Sequence, residues 1–483
     1  MRKIVYCIAL GFLFLVLQSA NKDRNKALDE IYRPQFHFTP EKNWMGNPNG
    51  LIWIDGVYHM FYQHNPLDTV WGFIHWGHAK SKDLVNWEHL PVAIKPDNNS
   101  SDKEIATAWS GSAIIDKNNV AELQNGTEPT ALIFYNSRKV GQCLAYSNDD
   151  GMTWEKYDKN PIIPYDANDE ARDPKVFWYE PGNKYIMMLC RKHEDVQGFS
   201  FYSSSDLKDW KFESHLSGFY EHPDMVQLPF LGKEPERKWV VFDCDGSYCV
   251  GNFDGKTFVP ETTTRKGDYG TNYYGTQTWS NIPAADGRVI QIAWMEGGEY
   301  PEMPFVGQMT FPCELALMGE GNDMRLIRKP VKEIGLLHKK KVYSAVNKRI
   351  IPGLNKNPVK GIKGDCLHIV GTFDLSTVGS FGFMVRMSQD LVGTDISYDA
   401  MKNTLSCMGL LVTLPPENGK ITLEILIDRT SIEVFANGGK MVMSGCFTPY
   451  EKDNQIYLYN IGGELIIEKL EIFTMKSIYE TNK

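Results

Sequence analysis

At 483 residues the chain is too long for one ordinary domain, and its 12% aromatic and 23% charged residues exclude a disordered polymer. A formal net charge of -9 with no basic stripe argues against a nucleic-acid partner and suits a neutral one. Beyond the first residues, no stretch approaches the about 20 apolar residues that a membrane span needs.

The N-terminus reads as an export signal. Arg2 and Lys3 precede an apolar run from Ile4 to Leu17, and Ser19-Ala20 offers small residues for cleavage. Loss of residues 1–20 removes Arg2 and Lys3 and leaves a net charge of -11. Export to the periplasm or the outside is expected. Cys7 lies inside the apolar run, away from the cut, and is not read as a lipid anchor. Among the remaining cysteines only Cys244 and Cys249 are close enough in sequence for a local bridge, so no disulfide scaffold is expected.

From residue 30 to 325 the sequence is rich in strand-forming runs and carries a repeat. Ser81-Lys82-Asp83-Leu84-Val85-Asn86-Trp87 returns as Ser204-Ser205-Asp206-Leu207-Lys208-Asp209-Trp210. A copy with one extra residue occupies 147–154, and a weaker one 252–258. Their aspartates, Asp83, Asp149, Asp206 and Asp254, are spaced 66, 57 and 48 residues apart. Each copy predicts a turn in which Asp accepts backbone N–H bonds and an aromatic ring packs beneath. A strand–turn–strand unit recurring at this spacing predicts propeller blades, with coincidental hairpins of an ordinary β-protein as the alternative.

Residues 326–342 are expected to link two domains, with a short helix over 331–338 and a solvated basic cluster at Lys339-Lys340-Lys341. From 343 to 478 strands resume at 368–373, 381–385, 421–428, 431–436 and 465–473. Several alternate apolar and polar residues, which predicts a β-sandwich. The expected fold is all-β, a five-bladed propeller followed by this sandwich. No catalytic cluster is visible in the second half.

Candidate chemistry sits in three distant segments: Trp44-Met45-Gly46-Asn47-Pro48-Asn49-Gly50, Arg172-Asp173-Pro174 and Glu221-His222-Pro223-Asp224. The inner strands of a propeller surround one funnel, where such segments can meet. Hydrolysis of a glycosidic bond needs two carboxyl groups astride it, one of which donates a proton. Glu221 is the candidate acid/base, at a strand-to-turn junction. Asp173 follows Arg172, whose charge is expected to keep it ionised. His75 and His78 lack a third partner for zinc and are read as structural; no metal or cofactor is expected.

These motifs resemble glycoside hydrolase family 32, the β-fructofuranosidases (invertases, inulinases and levanases). The likeness extends through residues 37–40, 61–66, 76–79, 109–113, 268–270 with Tyr274, 292–295 and 428–437. It implies retaining cleavage of fructosyl linkages in fructan or sucrose by an enzyme of propeller-plus-sandwich fold. By position, Glu221 corresponds to the family's acid/base, and Arg172 and Asp173 to its fructose-holding pair. Asn49, Gln63, Trp71, Trp109 and Ser110 correspond to the lining of its fructose pocket.

Three segments depart from the pattern. Gly46-Asn47 stands where the family has Asn-Asp, and that aspartate is its nucleophile. His222 replaces a cysteine, and Phe73-Ile74 a more polar pair. The amide of Asn47 cannot readily form a covalent fructosyl intermediate. Pro48 has no N–H, which blocks deamidation through a cyclic imide. The sequence therefore supports a β-fructosidase, with an inverting route through a positioned water as one variant. A catalytically impaired fructan-binding relative is the alternative. Linkage preference and oligomeric state are left open by the sequence.

Overall fold

The computed structural model describes residues 28–479 apart from 99, 234, 354, 355, 391 and 451. The expected signal peptide therefore lies outside the described residues.

Five antiparallel sheets follow one another along the first part of the chain, each starting with its innermost strand. The inner strands are Asn43–Ile54, Ala108–Asp116, Arg172–Tyr179, Asp224–Pro229 and Tyr274–Thr278. The first sheet also takes in the short strand Phe305–Val306, parallel to the start of its inner strand. Hydrogen bonds link neighbouring inner strands. Ser112 Oγ, on the second, donates to Pro174 O at 2.8 Å. Lys175 Nζ, on the third, pairs with Asp224 Oδ1 on the fourth at 2.6 Å. Asp224 Oδ2 accepts from Thr278 N on the fifth at 2.7 Å. Gln277, on the fifth, accepts from Leu51 N on the first and donates to Gly111 O on the second.

The repeat forms turns between the third and fourth strands of the first four sheets. Asp83 Oδ1 accepts from the N–H of Val85 and Asn86, Asp206 Oδ1 from Lys208 and Asp209, and Asp254 Oδ1 from Lys256 and Thr257. Asp149 Oδ1 does the same with Thr153 N. Trp87 and Trp154 each donate from Nε1 to a carbonyl of their own turn, Leu84 O and Gly151 O, at 3.0 Å. The fourth copy ends in Phe258, which has no such donor.

Over 326–342, the stretch expected as a linker, the structure places three elements. Arg325–Pro330 is the outermost strand of the fifth sheet, Lys332–Leu337 a 3-10 helix, and His338–Ile350 an edge strand of the next sheet. The basic cluster thus lies in a strand. The lysines at an exposed edge are compatible with pairing, because only their backbones enter the ladder.

A six-stranded and a five-stranded sheet make the C-terminal sandwich. Its core holds Ile369, Phe373, Phe381, Phe383, Tyr398, Ile425 and Leu458. Phe373 and Phe381, from opposite sheets, lie 4.5 Å apart. The alternation along Lys420–Ile427 explains this packing, since every second side chain points inward. All cysteines among the described residues are free, Cys244 and Cys249 included.

The two halves meet through buried charge. His37 Nδ1 lies 2.9 Å from Asp428 Oδ2, and its Nε2 lies 3.1 Å from Glu433 Oε2. Asp428 also accepts the backbone N–H groups of Gln35, Phe36 and His37. Burial disfavours the imidazolium, but the two carboxylates outweigh it and raise the His37 pKa to about 9. Nearby, Arg328 Nη2 pairs with Asp268 Oδ2 at 2.7 Å, and Ser444 Oγ donates to the same oxygen.

Candidate active site

Four of the five inner strands lose register at the same end. The shifts fall between Met45 and Pro48, between Ala108 and Gly111, between Arg172 and Lys175, and between Tyr274 and Gln277. Bulges re-aim side chains that regular pairing would bury in the sheet or turn outward. Asn47, Trp109, Ser110 and Asp173 all fall within these breaks. Asp173 also has φ of 58°, and His222, just before the fourth strand, 52°. Both are left-handed conformations that cost a non-glycine residue energy and tend to occur where a side chain must be aimed.

Arg172 gathers the acids. Its Nε donates to Glu221 Oε1 at 3.0 Å and lies 3.8 Å from Asp173 Oδ2. Glu221 Oε2 accepts from the Tyr274 hydroxyl at 2.5 Å. The backbone N–H of His222 donates to Asp173 Oδ2 at 3.3 Å. Glu221 belongs to a loop, so something must hold its backbone. Asp243 does this by accepting the N–H groups of Tyr220, Glu221 and Cys244.

Arg172 does not keep Asp173 in the ordinary carboxylate range, contrary to expectation. Burial and the charge of Glu221 push its pKa up to about 7, and Arg172 only partly opposes them. The sequence shows the adjacent cation but not that Asp173 is 6% exposed beside a second acid.

Asn47 is buried, and its side-chain oxygen has no hydrogen-bond partner. It lies against Gly275: a Cβ on that glycine would come within 2.3 Å of Asn47 Oδ1. Gly275, with φ of 61°, follows Tyr274, so Asn47 borders the group that holds Glu221. The Trp44 ring occupies the space that a side chain at position 46 would need, 2.4 Å from the ideal Cβ. The unusual Gly46-Asn47 pair is therefore accommodated locally.

Asn49, Gln63 and Ser110 form one network. Gln63 Nε2 donates to Ser110 Oγ at 2.7 Å, and the Asn49 amide, oriented to satisfy its neighbours, donates to the same oxygen at 3.1 Å. Trp109 lies under the Arg138 guanidinium, 4.8 Å from the ring centroid, and its carbonyl accepts from Trp76 Nε1. Trp71 is half-buried, and no hydrogen bond or ring contact joins it to this group. Ile74 is core, while Phe73 is half-buried. His78 pairs with His59, and His75 with the Phe73 carbonyl. His222 is buried with neither ring nitrogen bonded, and burial lowers its pKa.

Sequence reasoning left Asp243, Glu296 and Tyr274 out of the site. Tyr274 was visible as part of a motif. Asp243 works through backbone atoms and carries no motif of its own. Glu296 is solvent-exposed beyond the fifth sheet's second strand, and partial desolvation by its neighbours and the Glu221 charge raise its pKa.

Residues 37–330 match the glycosyl hydrolases family 32 N-terminal domain, and residues 335–474 the family 32 C-terminal domain. The chain belongs to glycosyl hydrolase family 32. Among family 32 relatives it is 36% identical to a levanase of Bacillus subtilis, covering 99% of this chain and 76% of that one. It is 30% identical to an extracellular exo-inulinase of Aspergillus awamori, covering 93% and 96%. The crystal structure of exo-inulinase from Aspergillus awamori superposes with a TM-score of 0.84 at 27% identity, covering 93% of this chain and 99% of that one. A fructofuranosidase from Schwanniomyces occidentalis, complexed with fructose, superposes at 0.80 and 26% identity with the same coverage. The family 32 fold is thus a five-bladed β-propeller followed by a β-sandwich in this chain as well.

Proposed function

We propose that this chain is an exported β-fructosidase that hydrolyses β-fructosyl linkages in fructans such as levan and inulin, or in sucrose. The observation that carries the reading is a single guanidinium nitrogen, Arg172 Nε, shared by two carboxyl groups that lie 48 residues apart in sequence. Levanase, exo-inulinase and fructofuranosidase relatives support the substrate class, and an extracellular relative supports export. Among the described residues no helix is long and apolar enough to cross a membrane.

In this reading Glu221 protonates the leaving oxygen, with Tyr274 and Asp243 holding it in place. Asp173 and Arg172 grip the fructosyl hydroxyls, and the ionised share of Asp173 grows as pH rises through about 7. Asn49, Gln63, Trp71, Trp109 and Ser110 line the sugar pocket. Asn47 occupies the nucleophile position; its neutral amide does not readily form the covalent fructosyl intermediate, so in the native chain a water molecule attacks the anomeric carbon as the C–O bond to the protonated leaving oxygen breaks. The site residues all fall within 30–325, which is taken as the catalytic-type domain. Its last strand runs on to Pro330, the 3-10 helix Lys332–Leu337 is its connection, and the accessory sandwich begins with the strand from His338.

The deciding experiment compares the native protein with Asn47→Asp on sucrose, inulin and levan. Asn47→Asp is expected to raise fructose release by about 1,000-fold or more, as nucleophile losses elsewhere imply. If neither protein releases fructose from any of the three, the reading fails. The unpartnered amide oxygen of Asn47 favours one second reading, an impaired fructan-binding relative. That reading prevails if only Asn47→Asp releases fructose while the native protein retains fructan affinity.

A further inference from the structure

The inner strands run on from the catalytic end to a second opening. A cavity of about 850 Å³ lies there, lined by inner-strand residues of the second, third and fourth sheets, by Thr278 at the end of the fifth inner strand and by residues 279–284 after it. Asp173 and Trp178 are five residues apart on one strand. At about 3.3 Å per residue this puts Trp178 roughly 16 Å from the acids, while Lys175 lines the inner end of the cavity. Between the two ends the buried Lys175–Asp224 pair and Thr278 close the axis. The catalytic reading uses nothing in this cavity.

The lining suits an uncharged polyhydroxy ligand. Trp178 is half-buried and stands edge-on to Tyr185, 4.8 Å away, and its indole N–H is taken by Glu180, which fixes the ring. The amides of Asn118 and Gln227 are exposed and carry no partner. Arg237 is fixed by the carbonyls of Gln227 and Gly287 at 3.1 and 3.0 Å. The Lys175 and Arg288 charges are already balanced, by Asp224 and by Asp286 with Glu333; the other charged groups of the lining, Lys117 and Arg237 against Glu180, leave one positive charge. A fixed aromatic ring, free amides and a fixed guanidinium without strong net charge are the groups that bind sugar rings. The volume is within the usual range of about 300–1,000 Å³ for ligand pockets.

We propose that this far-end cavity is a second carbohydrate-binding site that holds a segment of the fructan chain away from the reacting end. The choice of fructan rests on the function proposed above; the cavity and its chemistry do not.

The test is affinity electrophoresis of the full chain in gels containing levan, inulin or dextran, with Trp178→Ala and Gln227→Trp as variants. Gln227→Trp fills the cavity from an exposed position, so it serves if Trp178→Ala weakens the fold. Both variants are expected to lose about tenfold in affinity for levan or inulin, as loss of an aromatic contact implies. In the Asn47→Asp background, their release of fructose from sucrose should be unchanged. Undiminished retardation in both variants, or equal retardation by dextran, overturns the inference. So does a parallel loss of sucrose cleavage, because a remote site does not touch the short substrate. Failure of the catalytic reading is seen separately, as absence of fructose release by Asn47→Asp itself.

Discussion

The two ends of the same five inner strands differ sharply. At the far end pairing is regular, as in Val176–Met187 and Phe177–Ile186. At the catalytic end four of the five ladders slip, and non-glycine residues adopt positive φ. The fourth ladder stays regular from Asp224 onward, because its chemical group, Glu221, precedes the strand and is held instead by Asp243. The difference teaches that the propeller supplies a rigid ring while local irregularities aim the acids. Regular strands alone would alternate side chains between the two faces of each blade and bring few of them to the axis end.

The comparison can be broken first at the acid. Glu221→Gln in the Asn47→Asp background should lower kcat by about 100- to 10,000-fold while leaving the melting temperature nearly unchanged. A large loss of stability instead would mean that Glu221 is a structural anchor. The next largest effect belongs to the midpoint between the ends. Lys175→Met strands the fully buried Asp224 and should cost about 3–5 kcal/mol in denaturant unfolding. An undiminished midpoint would show that the axis is wetter than its burial implies.

The seam with the sandwich should respond to pH. The His37 pKa is raised, so its contribution is complete below about 6.5 and is lost as pH rises through about 9. The shift corresponds to about 3 kcal/mol. The melting temperature should fall over that window, and His37→Gln should flatten the fall; an unchanged profile in the variant would remove His37 from the seam. The smallest effect is expected at Gly275. Gly275→Ala should cost about 1–3 kcal/mol, since φ of 61° and the contact with Asn47 both oppose a side chain. If thermal unfolding does not move, the Asn47–Gly275 contact is looser than the structure shows.

Much of the architecture was legible because its causes are local. The Asp83, Asp149 and Asp206 turns are written in consecutive residues, and so is the alternation along Lys420–Ile427. The site was legible in part. Glu221, Asp173 and Arg172 stand in recognisable motifs, and the structure brings them onto one nitrogen. Asp243 was hidden, since accepting backbone N–H groups needs only a carboxylate in the right place. The ionisation of Asp173 is not legible in the sequence, since a neighbouring Arg172 is visible in the chain while burial and the approach of Glu221 are not.

By itself the sequence determined the strand periodicity, the repeated turns, the family and the missing nucleophile carboxylate at Asn47, because each depends on residue type and near spacing. Only the tertiary structure decided that Glu221 and Asp173 share one guanidinium, that His37 is charged within the seam, and that a second cavity opens beyond Lys175. Those facts arise from distances between segments remote in the chain and from removal of water around them, and both exist only once the sheets have packed.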